Sequence, residues 1–582
     1  MQQPPDPKPE SARRPFRIPI PFAAFDRTPV DLRILGRTLL HAAIVGAAAG
    51  TLGAAFFYGL EVAQRLTLEH LAGYVPLRAL GERAEHAGVT KFRPWVLWLI
   101  PAIGALAGGV ISAWLAPETQ GGGGDAMIDA FHRKGGIVRR RVLVVKAIAS
   151  IFTLGSGGSG GREGPTMHIG ASIGSTVGRY LRVDARERRL LLVAGCSAGM
   201  SAVFRTPLGA ALLAVEVLYR DDFESDALIP ALLASVISYS VFVSIYGEST
   251  LFAHAAHYPF IPVHLPLYAL MSLFVATAAI AFLAALRAVQ ARVSSPSLPI
   301  WLRPALGGLG VGLIATPVIA FLGPRVGQTG QGFGILGGGY GAAQVAIMGA
   351  GWLPHGWRAV ELLALLGVVK IAVTSLTVGS GGSAGDFGPS LVMTCELAGS
   401  YDLLVPLMLA EGIAFVVLRK RSLYHAQVAT KRDSPAHAHE LITDVLDNKC
   451  VSDVLVRDRP FVTFDRRTAS ARVRDEIGAS AWQDVFPVLD PDGTMVGIID
   501  ASILRAMVGE QEASTSTIAA DLMRSPIFVR PEDGLHDALD IMVTNELREI
   551  PVIDEHGKIV GFLDEADVTR VYLAATNAPS DG

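Results

Sequence analysis

Two glycine-rich segments carry the residues best suited to chemistry. Residues 144–167 read VVKAIASIFTLGSGGSGGREGPTM and residues 368–391 read VVKIAVTSLTVGSGGSAGDFGPSL, with 12 of 24 positions identical. Glycine runs interrupt a helix, and a proline in the first helical turn starts the next one. Each copy therefore predicts a loop followed by a helix N-terminus, at Pro165 and at Pro389. Free N–H groups and the helix dipole at such an end favour an anion.

Glu163 is the titratable residue beside the first of these predicted anion sites. A carboxylate without a partner in apolar sequence is destabilising, which makes it a functional candidate. Its negative charge could occupy the place of an anion, and protonation would release it. The pattern thus predicts a gate that responds to protons and anions. The alternative is a glutamate that only stabilises the helix dipole.

The elements that must position these loops are apolar helices. Of the 582 residues, 51% are hydrophobic and 18% are charged, which is too apolar for an ordinary soluble protein. Several apolar segments are long enough to cross ~30 Å of hydrocarbon. They run near 37–60, 95–115, 189–218, 226–247, 265–290, 303–323, 358–378 and 401–418. Shorter segments at 142–153 and 165–180 predict half-helices, and broken helices in duplicated halves are typical of a transporter with a mid-membrane site.

The remaining segments are polar and predict further domains. Residues 1–34 predict a disordered basic cytoplasmic tail, and the basic clusters at 133–141, 186–189 and 419–421 predict the cytoplasmic side of the membrane. Residues 426–444 predict a linker. Beyond it, VFPVLDPDGTMVGIID (485–500) matches EIPVIDEHGKIVGFLD (549–564). Residues 445–510 and 511–576 therefore predict two copies of a soluble α/β unit, each with a strand, a D-x-x-G turn and a second strand.

These motifs resemble those of the CLC chloride channels and proton/chloride antiporters. The resemblance rests on GREGP (161–165) followed by His168, on GDFGP (385–389), on TPLGAALLAVEV (206–217) and on SLYHAQ (422–427). The C-terminal tandem is similar to a pair of CBS domains. The resemblance implies an all-α polytopic membrane domain over 35–425, a CLC-type inverted repeat with broken helices, followed by an α/β cytoplasmic CBS pair. It also implies a homodimer that transports chloride or a similar small anion across a bacterial-type inner membrane.

The resemblance also implies roles for individual residues. Glu163 stands at the gating position. The anion-binding positions, mostly backbone N–H groups with one hydroxyl, are Gly161, Arg162, Gly164, Gly122, Asp386, Phe387, Gly388 and Tyr424. Arg162 is expected to pair with a carboxylate or to attract anions rather than to contact the permeating ion. For the two aromatic residues, ordinary packing is the alternative.

Two departures from the family pattern bear on function. The position of an anion-binding serine falls on Gly122, which has no hydroxyl, and Asp125 stands where the family has a proline. Selectivity among small anions is therefore open. The position of an internal proton-relay glutamate falls on Val217, next to Glu216. Because valine carries no proton, the sequence favours passive conduction, and a proton-coupled antiporter is the alternative.

The second half is also shorter than the first. Glu163 and Glu216 lie 53 residues apart, whereas the corresponding Phe387 and Glu396 lie 9 residues apart. About 44 residues are thus absent near 391–393, which is more than two spanning helices' worth of chain. Either the protein has lost these helices or the sequence records a deletion. A conduction-inactive relative that acts through its CBS pair is a further alternative, and an odd number of lost spans would invert the topology.

The sequence predicts few ligands or partners besides the anion. An adenine nucleotide at the CBS pair is implied by the resemblance, with Asp567 at the ribose-binding position of the second copy and Ile503 at that of the first. A purely structural tandem is the favoured alternative, because Asp500 and Asp564 replace the usual threonine. A net charge of −3 indicates no nucleic-acid partner, and the three cysteines have no metal-like spacing. No phosphate loop, catalytic triad or zinc motif occurs, so the sequence predicts no enzyme.

Overall fold

The fold is described from a computed structural model of the chain. It describes residues 30–82, 90–252, 260–294, 298–386, 391–402, 404–419, 421–437, 449–456, 459–480, 482–500 and 517–577. The chain divides into two compact units, Met1–Asp433 and Ser434–Gly582. The division falls inside the predicted linker, 426–444. The predicted basic tail, 1–34, lies almost entirely outside the described residues.

The first unit is helical throughout. A π-helical segment, Arg65–Leu71, continues its first helix. The helices are α1 (Val30–Gln64), α2 (Pro94–Leu97), α3 (Ile100–Leu115), α4 (Gly124–Arg133), α5 (Arg140–Gly155), α6 (Glu163–Tyr180), α7 (Ala185–Phe204), α8 (Pro207–Glu216), α9 (Ser225–Tyr246), α10 (Leu265–Val293), α11 (Arg303–Arg325), α12 (Tyr340–Met348), α13 (Trp357–Gly379), α14 (Leu391–Ala398) and α15 (Leu404–Leu418).

Six stretches of the described residues are long and apolar enough to cross a membrane: Gly36–Leu71, Pro94–Leu115, Ser225–Tyr246, Pro262–Val293, Arg303–Arg325 and Trp357–Gly379. Two more apolar helices are shorter, α8 and α15. Large apolar side chains remain exposed on these helices, among them Phe274, Val368 and Val416. Exposed apolar surface of this extent suits contact with lipid rather than water.

The predicted apolar segment 189–218 is wrong as a single run. The structure divides it into α7 and α8, with a break at Arg205, whose φ is +59°. Pro207 explains the break, because proline cannot continue a helix and biases the preceding residue toward extended backbone. The segment 401–418 is also shortened, since α15 begins only at Leu404.

Small residues let α6 and α7 pack closely in the core of this unit. A Cβ at Gly170 would collide with the carbonyl oxygen of Gly195, and one at Gly174 with that of Leu191. Only glycine permits backbones to approach this closely, as at helix crossings in membranes. The two helices form a rigid hairpin directly behind the first glycine-rich loop.

The two duplicated halves differ by this hairpin. In the first half, α5 leads through the glycine-rich loop into α6 and α7, and then into α8 and α9. In the second half, α13 leads through its loop to Asp386, and the next described helices are α14, which contains Glu396, and α15. By the correspondence of Glu216 and Glu396, α14 and α15 match α8 and α9. Within the described residues the counterparts of α6 and α7 are missing, which is an even number of helices.

The second unit contains two β-hairpins with helices around them. The strands are β1 (Phe464–Asp465), β2 (Val485–Leu489), β3 (Met495–Asp500), β4 (Glu549–Ile553) and β5 (Ile559–Asp564). The helices are α16 (Ser470–Ala479), α17 (Ala519–Leu522), α18 (Leu535–Thr544) and α19 (Glu565–Asn577). Strands β2 and β3 pair antiparallel, as do β4 and β5, and β1 lies parallel to β2. Both predicted D-x-x-G turns form, with Gly493 and Gly557 at positive φ.

Candidate anion site

The two glycine-rich loops meet at the centre of the helical unit. The N–H of Gly161 donates to the carbonyl of Gly385 at 3.0 Å, and the N–H of Gly385 donates to the carbonyl of Gly161 at 2.7 Å. This antiparallel bridge joins one half of the duplication to the other. Gly164, at the start of α6, packs against Gly122 and Gly385. Because the N–H of Gly161 is used in the bridge, this group does not serve as an anion donor here.

Glu163 lies buried beside this bridge, with 5% of its surface exposed. Its Oε1 accepts a hydrogen bond from the hydroxyl of Tyr340, the first residue of α12. Its Oε2 is buried and accepts no hydrogen bond from the described residues. That oxygen fills the space where a Cβ at Gly161 would lie, so position 161 requires glycine.

Arg162 is held on the same side as Tyr340. Its guanidinium forms an ion pair with Glu82 at 2.7 Å and lies over the rings of Phe57, Phe204 and Tyr340 at 5.1, 5.3 and 4.9 Å. Cation–π contacts and a buried ion pair together fix the side chain. Its charge is therefore compensated by a carboxylate, which is the role expected from the sequence.

Two lysines, Lys146 buried and Lys370 half-buried, occupy equivalent positions in the two halves. Lys146 on α5 donates to the carbonyls of Thr119 and Gly121 at 3.0 and 2.7 Å. Lys370 on α13 donates to the carbonyls of Ile335 and Gly337 at 3.3 and 2.5 Å. Each lysine thus fixes a glycine-rich segment and places a positive charge behind the loop crossing. An ammonium group supplies three donors and no acceptor, which suits the closing of carbonyl-rich loops.

A cavity of about 290 Å³ opens on one side of the crossing. It is lined by Gly122, Asp386 and Tyr424, three of the predicted anion-binding residues, and by Arg287 on α10. A Cβ at Gly124 would collide with the ring of Tyr424, so this loop also needs glycine for close packing. Three segments distant in sequence therefore form one wall of this cavity.

A smaller cavity of about 60 Å³ lies near the other side of Glu163. Arg162, Tyr340, Glu82 and Gly160 line it. Glu163 lines neither cavity, yet it contacts Tyr340, which lines the small one, and it lies against Gly385, next to Asp386 in the large one. The Glu163 carboxylate thus contacts one residue that lines the small cavity and lies close to one that lines the large cavity.

Comparison with known proteins agrees with this geometry. The profile of the voltage gated chloride channel family matches residues 103–394, half of the chain, and the profile of the CBS domain matches residues 519–574. The chain belongs to the CLC family of voltage-gated chloride channels.

Individual relatives of the CLC family show how far the likeness extends. A chloride/fluoride channel protein of Pseudomonas syringae pv. tomato is 33% identical over 177 residues, which are 29% of this chain and 38% of that protein. The H(+)/Cl(-) exchange transporter ClcA of Salmonella paratyphi B is 27% identical over 434 residues, 73% of this chain and 82% of that one. The crystal structure of a slow cyanobacterial Cl−/H+ antiporter matches with a TM-score of 0.54 at 22% identity, over 66% of this chain and 94% of its own. The fold is therefore the helical, multi-pass membrane fold of the CLC family, followed by a CBS region.

The remaining residues named from the CLC resemblance do not all lie at the loop crossing. Phe387 and Gly388 lie outside the described residues. Asp125, in the first turn of α4, accepts a hydrogen bond from the N–H of Ala426 at 2.9 Å, and it also lines the larger cavity. Val217 is buried after the end of α8, and its carbonyl accepts a hydrogen bond from Gln427. Residues 426–433 therefore pack on the helical unit, although the sequence predicted them as linker.

The sequence did not predict three contacts of the site: Tyr340 with Glu163, Glu82 with Arg162, and the carboxylate of Asp386 against Gly122. Tyr340 lies 177 residues from Glu163, and nothing in the GGGY sequence around it indicates that contact. The two lysines did leave a signal, since Lys146 and Lys370 are an identical pair within the duplicated segments. An identical charged residue in apolar sequence is itself an indication of a buried structural or functional role.

The CBS region has its own cleft of about 660 Å³, lined in part by Trp482, Arg548, Asp564 and Arg570. Asp567, predicted to bind ribose, does not line this cleft, and its carboxylate accepts a hydrogen bond from Arg570 at 2.9 Å. Ile503 lies outside the described residues. Beside the cleft, the guanidinium of Arg459 stacks on Trp482 at 3.9 Å and pairs with Asp564 at 3.3 Å.

Proposed function

We propose that the chain transports chloride or another small monovalent anion across a membrane, with Glu163 as the gate. The observation that carries this proposal is the position of Glu163, buried at the crossing of the two loops, where its Oε2 accepts no hydrogen bond from the described residues. Membership of the CLC family and the names of its relatives supply the class of substrate. The ionised carboxylate takes the place of an anion, and the protonated one leaves it free.

The surroundings of the loop crossing suit an ion that must both bind and leave. The groups around it are glycine backbone, the Tyr424 hydroxyl and the Asp386 carboxyl, while the positive charges of Lys146 and Lys370 are set back and bonded to carbonyls. Neutral donors with positive charge at a distance bind an anion without trapping it. The arrangement therefore favours rapid exchange over tight binding.

We infer passive conduction rather than exchange, on the strength of Val217. The buried side chain of Val217 can neither accept nor release a proton, so this position offers no proton relay. The alternative, proton-coupled exchange, is favoured by the name of the Salmonella relative. Proton movement recorded together with chloride efflux distinguishes the two modes, because a passive pathway moves chloride alone.

A conduction-inactive relative that acts through a CBS ligand receives little support. The described residues that line the CBS cleft include three carboxylates, Asp484, Asp564 and Glu565, the buried Glu549, and two arginines, Arg548 and Arg570. A negative lining disfavours the phosphates of a nucleotide. We infer a structural tandem; calorimetric titration of the full chain with ATP and AMP tests this, and heat of binding at millimolar nucleotide would contradict it.

The orientation and assembly follow from the same proposal. The basic segments at 133–141 and 419–421 favour a cytoplasmic position for the larger cavity, which Tyr424 lines. A second half that lacks an even number of helices keeps the CBS region on that side as well. We propose a homodimer, as the family resemblance implies.

Chloride efflux from liposomes tests the gate. Wild-type efflux should rise several-fold when the pH on both sides falls from 7.5 to 4.5, because protonation removes the blocking charge. Glu163→Ala and Glu163→Gln should raise efflux at pH 7.5 above the wild-type level and weaken its pH dependence, because the blocking charge of the gate is gone. Glu361→Gln, which removes an exposed carboxylate on α13, is the matched control and should behave as wild type. A pH profile that is unchanged in both Glu163 variants would contradict the proposal.

A further inference from the structure

The carboxylate of Asp386 occupies a place that the gating mechanism does not use. It lies against Gly122 so closely that a Cβ at that position would collide with it. Its Oδ1 is buried and accepts no hydrogen bond from the described residues. A buried carboxylate oxygen without a donor is destabilising unless the site has a use for it.

The carboxylate lies at the boundary of the larger cavity, which gives it access to water and ions. Tyr424 and Gly122 line the same cavity, and both are predicted to face the anion. Asp386 therefore stands among the groups that would surround an anion in this cavity. Glu163 makes a similar close contact in the other half of the duplication, since its Oε2 fills the space over Gly161.

The charged groups around Asp386 come from every neighbouring element. Lys146 on α5 and Asp125 on α4 act on it electrostatically, and Glu163 on α6 does so across the bridge. Lys146 is bonded to two carbonyls instead of forming an ion pair with Asp386. Asp386 thus has one positive neighbour, Lys146, and two negative ones, Asp125 and Glu163, so its ionised form is poorly compensated.

The remaining ionisable groups of the region lie further along the cavity or behind the loop. Arg287, Glu118 and His425 line the cavity, and Glu118 is paired with Arg139. His168 is fully buried, and its ring packs so closely on Gly123 that a Cβ there would lie 2.8 Å from Nδ1. Neither nitrogen of His168 bonds to a described residue, so it does not compensate Asp386 through a chain of hydrogen bonds.

We propose that Asp386 is a second protonatable group of the anion pathway, which binds the anion at the larger cavity more tightly when its carboxyl is neutral. This inference rests on the proposed function. The ionised carboxylate repels an anion beside Gly122. The protonated carboxyl carries an O–H that donates to the anion, which supplies a side-chain hydroxyl at a position where Gly122 has none.

The proton balance of this step is simple. A proton from cavity water binds the carboxylate, the neutral carboxyl donates its O–H to the incoming anion, and the proton returns to water after the anion leaves. No bond other than O–H is made or broken. With Glu163 on one side of the loop bridge and Asp386 on the other, the pathway has one acidic group from each half of the duplication.

Chloride binding by isothermal titration calorimetry, between pH 5 and pH 8 in detergent, tests the role of Asp386 apart from transport. Glu163→Gln serves as background, because it removes the titration of the gate. In this background chloride affinity should rise at least tenfold on acidification. In Glu163→Gln/Asp386→Asn the affinity should be nearly independent of pH, since the amide donates at any pH. Equal pH dependence with and without Asp386→Asn would overturn the proposal.

A second pair of variants protects the test against misfolding. Gly122→Ser should weaken binding, because its side chain displaces the Asp386 carboxyl. Gly122→Ser/Asp386→Gly removes that collision and leaves a neutral hydroxyl, so binding should recover and lose its pH dependence. If chloride binding does not recover in the double variant, although the protein elutes as a folded species, the proposal is overturned.

The outcomes separate the two proposals. Wild-type protein that neither binds nor releases chloride would contradict the proposed function. Chloride efflux together with pH-independent chloride binding in Glu163→Gln would contradict only the role of Asp386.

Discussion

At the scale of single residues, we propose that the contact between Tyr340 and Glu163 sets the state of the gate. The hydroxyl donates to Oε1, and the tyrosine ring also lies under Arg162 and against Phe204. A hydrogen bond to a charged acceptor stabilises the ionised form by about 1.5–3 kcal/mol. Tyr340 therefore holds Glu163 in its blocking state, while its ring supports the arginine.

Tyr340→Phe should ease the protonation of the gate without disturbing its packing. The ring contacts remain and only the donor is lost, so the pH of half-maximal chloride efflux should rise by about one unit, since one unit corresponds to about 1.36 kcal/mol. Efflux as a function of pH measures the shift. Tyr58→Phe, at an exposed tyrosine of α1, is the matched control and should leave the midpoint in place. A midpoint that stays the same in Tyr340→Phe would show that the hydroxyl does not hold the carboxylate.

At the scale of elements, α14 closes the N-terminus of α8. The carboxylate of Glu396 accepts hydrogen bonds from the N–H groups of Leu208 and Gly209 at 3.2 and 2.6 Å. Helix N-termini leave such groups without partners inside the helix, and a negative charge there also favours the dipole. Gly209 lies directly against the backbone of Met393, so the two helices are in close contact. The corresponding helices of the two halves thus hold each other.

Glu396→Ala should lower the thermal stability of the purified protein. Loss of a helix cap costs about 0.5–2 kcal/mol, and the two N–H groups would remain partly buried without an acceptor. Glu396→Gln should cost less, because one neutral acceptor remains. Thermal unfolding in detergent measures both, with Glu361→Ala as the control for loss of a carboxylate on a neighbouring apolar helix. Equal melting temperatures for wild type and Glu396→Ala would mean that the cap is dispensable.

Many of the helix starts, loops and turns could be predicted from the sequence, because they depend on a few neighbouring residues. The GSGGSGG run and Pro165 determine the loop before α6, and the D-x-x-G turns determine both hairpins. The break at Arg205 was missed, because hydropathy stays high through it and only Pro207 marks it. The contacts of Tyr340 with Glu163 and of Asp386 with Gly122 could not be predicted, because they join residues 177 and 264 positions apart. Only the folded arrangement of three loops brings those residues together.

At the scale of the whole molecule, the two CBS copies are joined through a buried carboxylate. Glu549, the first residue of β4, accepts hydrogen bonds from the N–H groups of Asp484 and Val485 at 2.7 and 2.9 Å. Burial raises the pKa of Glu549 to about 7, although these two hydrogen bonds act in the opposite direction. The folded state therefore binds a proton that the unfolded chain, with an ordinary glutamate pKa near 4.5, has already released.

The stability of this region should consequently fall as the pH rises. The native state holds more protons than the unfolded state between about pH 4.5 and pH 7, so the contribution of Glu549 is complete below that window and lost above it. Hydrogen exchange at the amides of Asp484 and Val485 in the full chain reports the change. Glu549→Gln, which keeps an acceptor and cannot ionise, should flatten the profile, whereas Glu555→Gln, at an exposed site, should not. Protection that increases with pH in the wild type would contradict this assignment.

The shortened second half also affects the topology of the whole chain in the membrane. Removal of the counterparts of both α6 and α7 takes away a complete helical hairpin, so the chain before and after the gap can keep its direction through the membrane. An odd loss, the case that would have inverted the C-terminal region, does not fit the helices in the part of the chain that the structure describes. The surviving half still supplies the loop that bonds to Gly161 and the helix that caps α8.

The bridge between Gly161 and Gly385 limits how the loops around Glu163 can move. Because two hydrogen bonds tie the loop of Glu163 to the loop of Asp386, neither backbone can swing without carrying the other. Large loop movements are therefore slow compared with rotation of a carboxyl group, which takes picoseconds to nanoseconds in unhindered side chains. A pathway built on such a tie works with an almost motionless main chain. On the proposed mechanism, the pathway opens as often as a proton reaches the carboxyl group of Glu163, a frequency that pH and buffer concentration control.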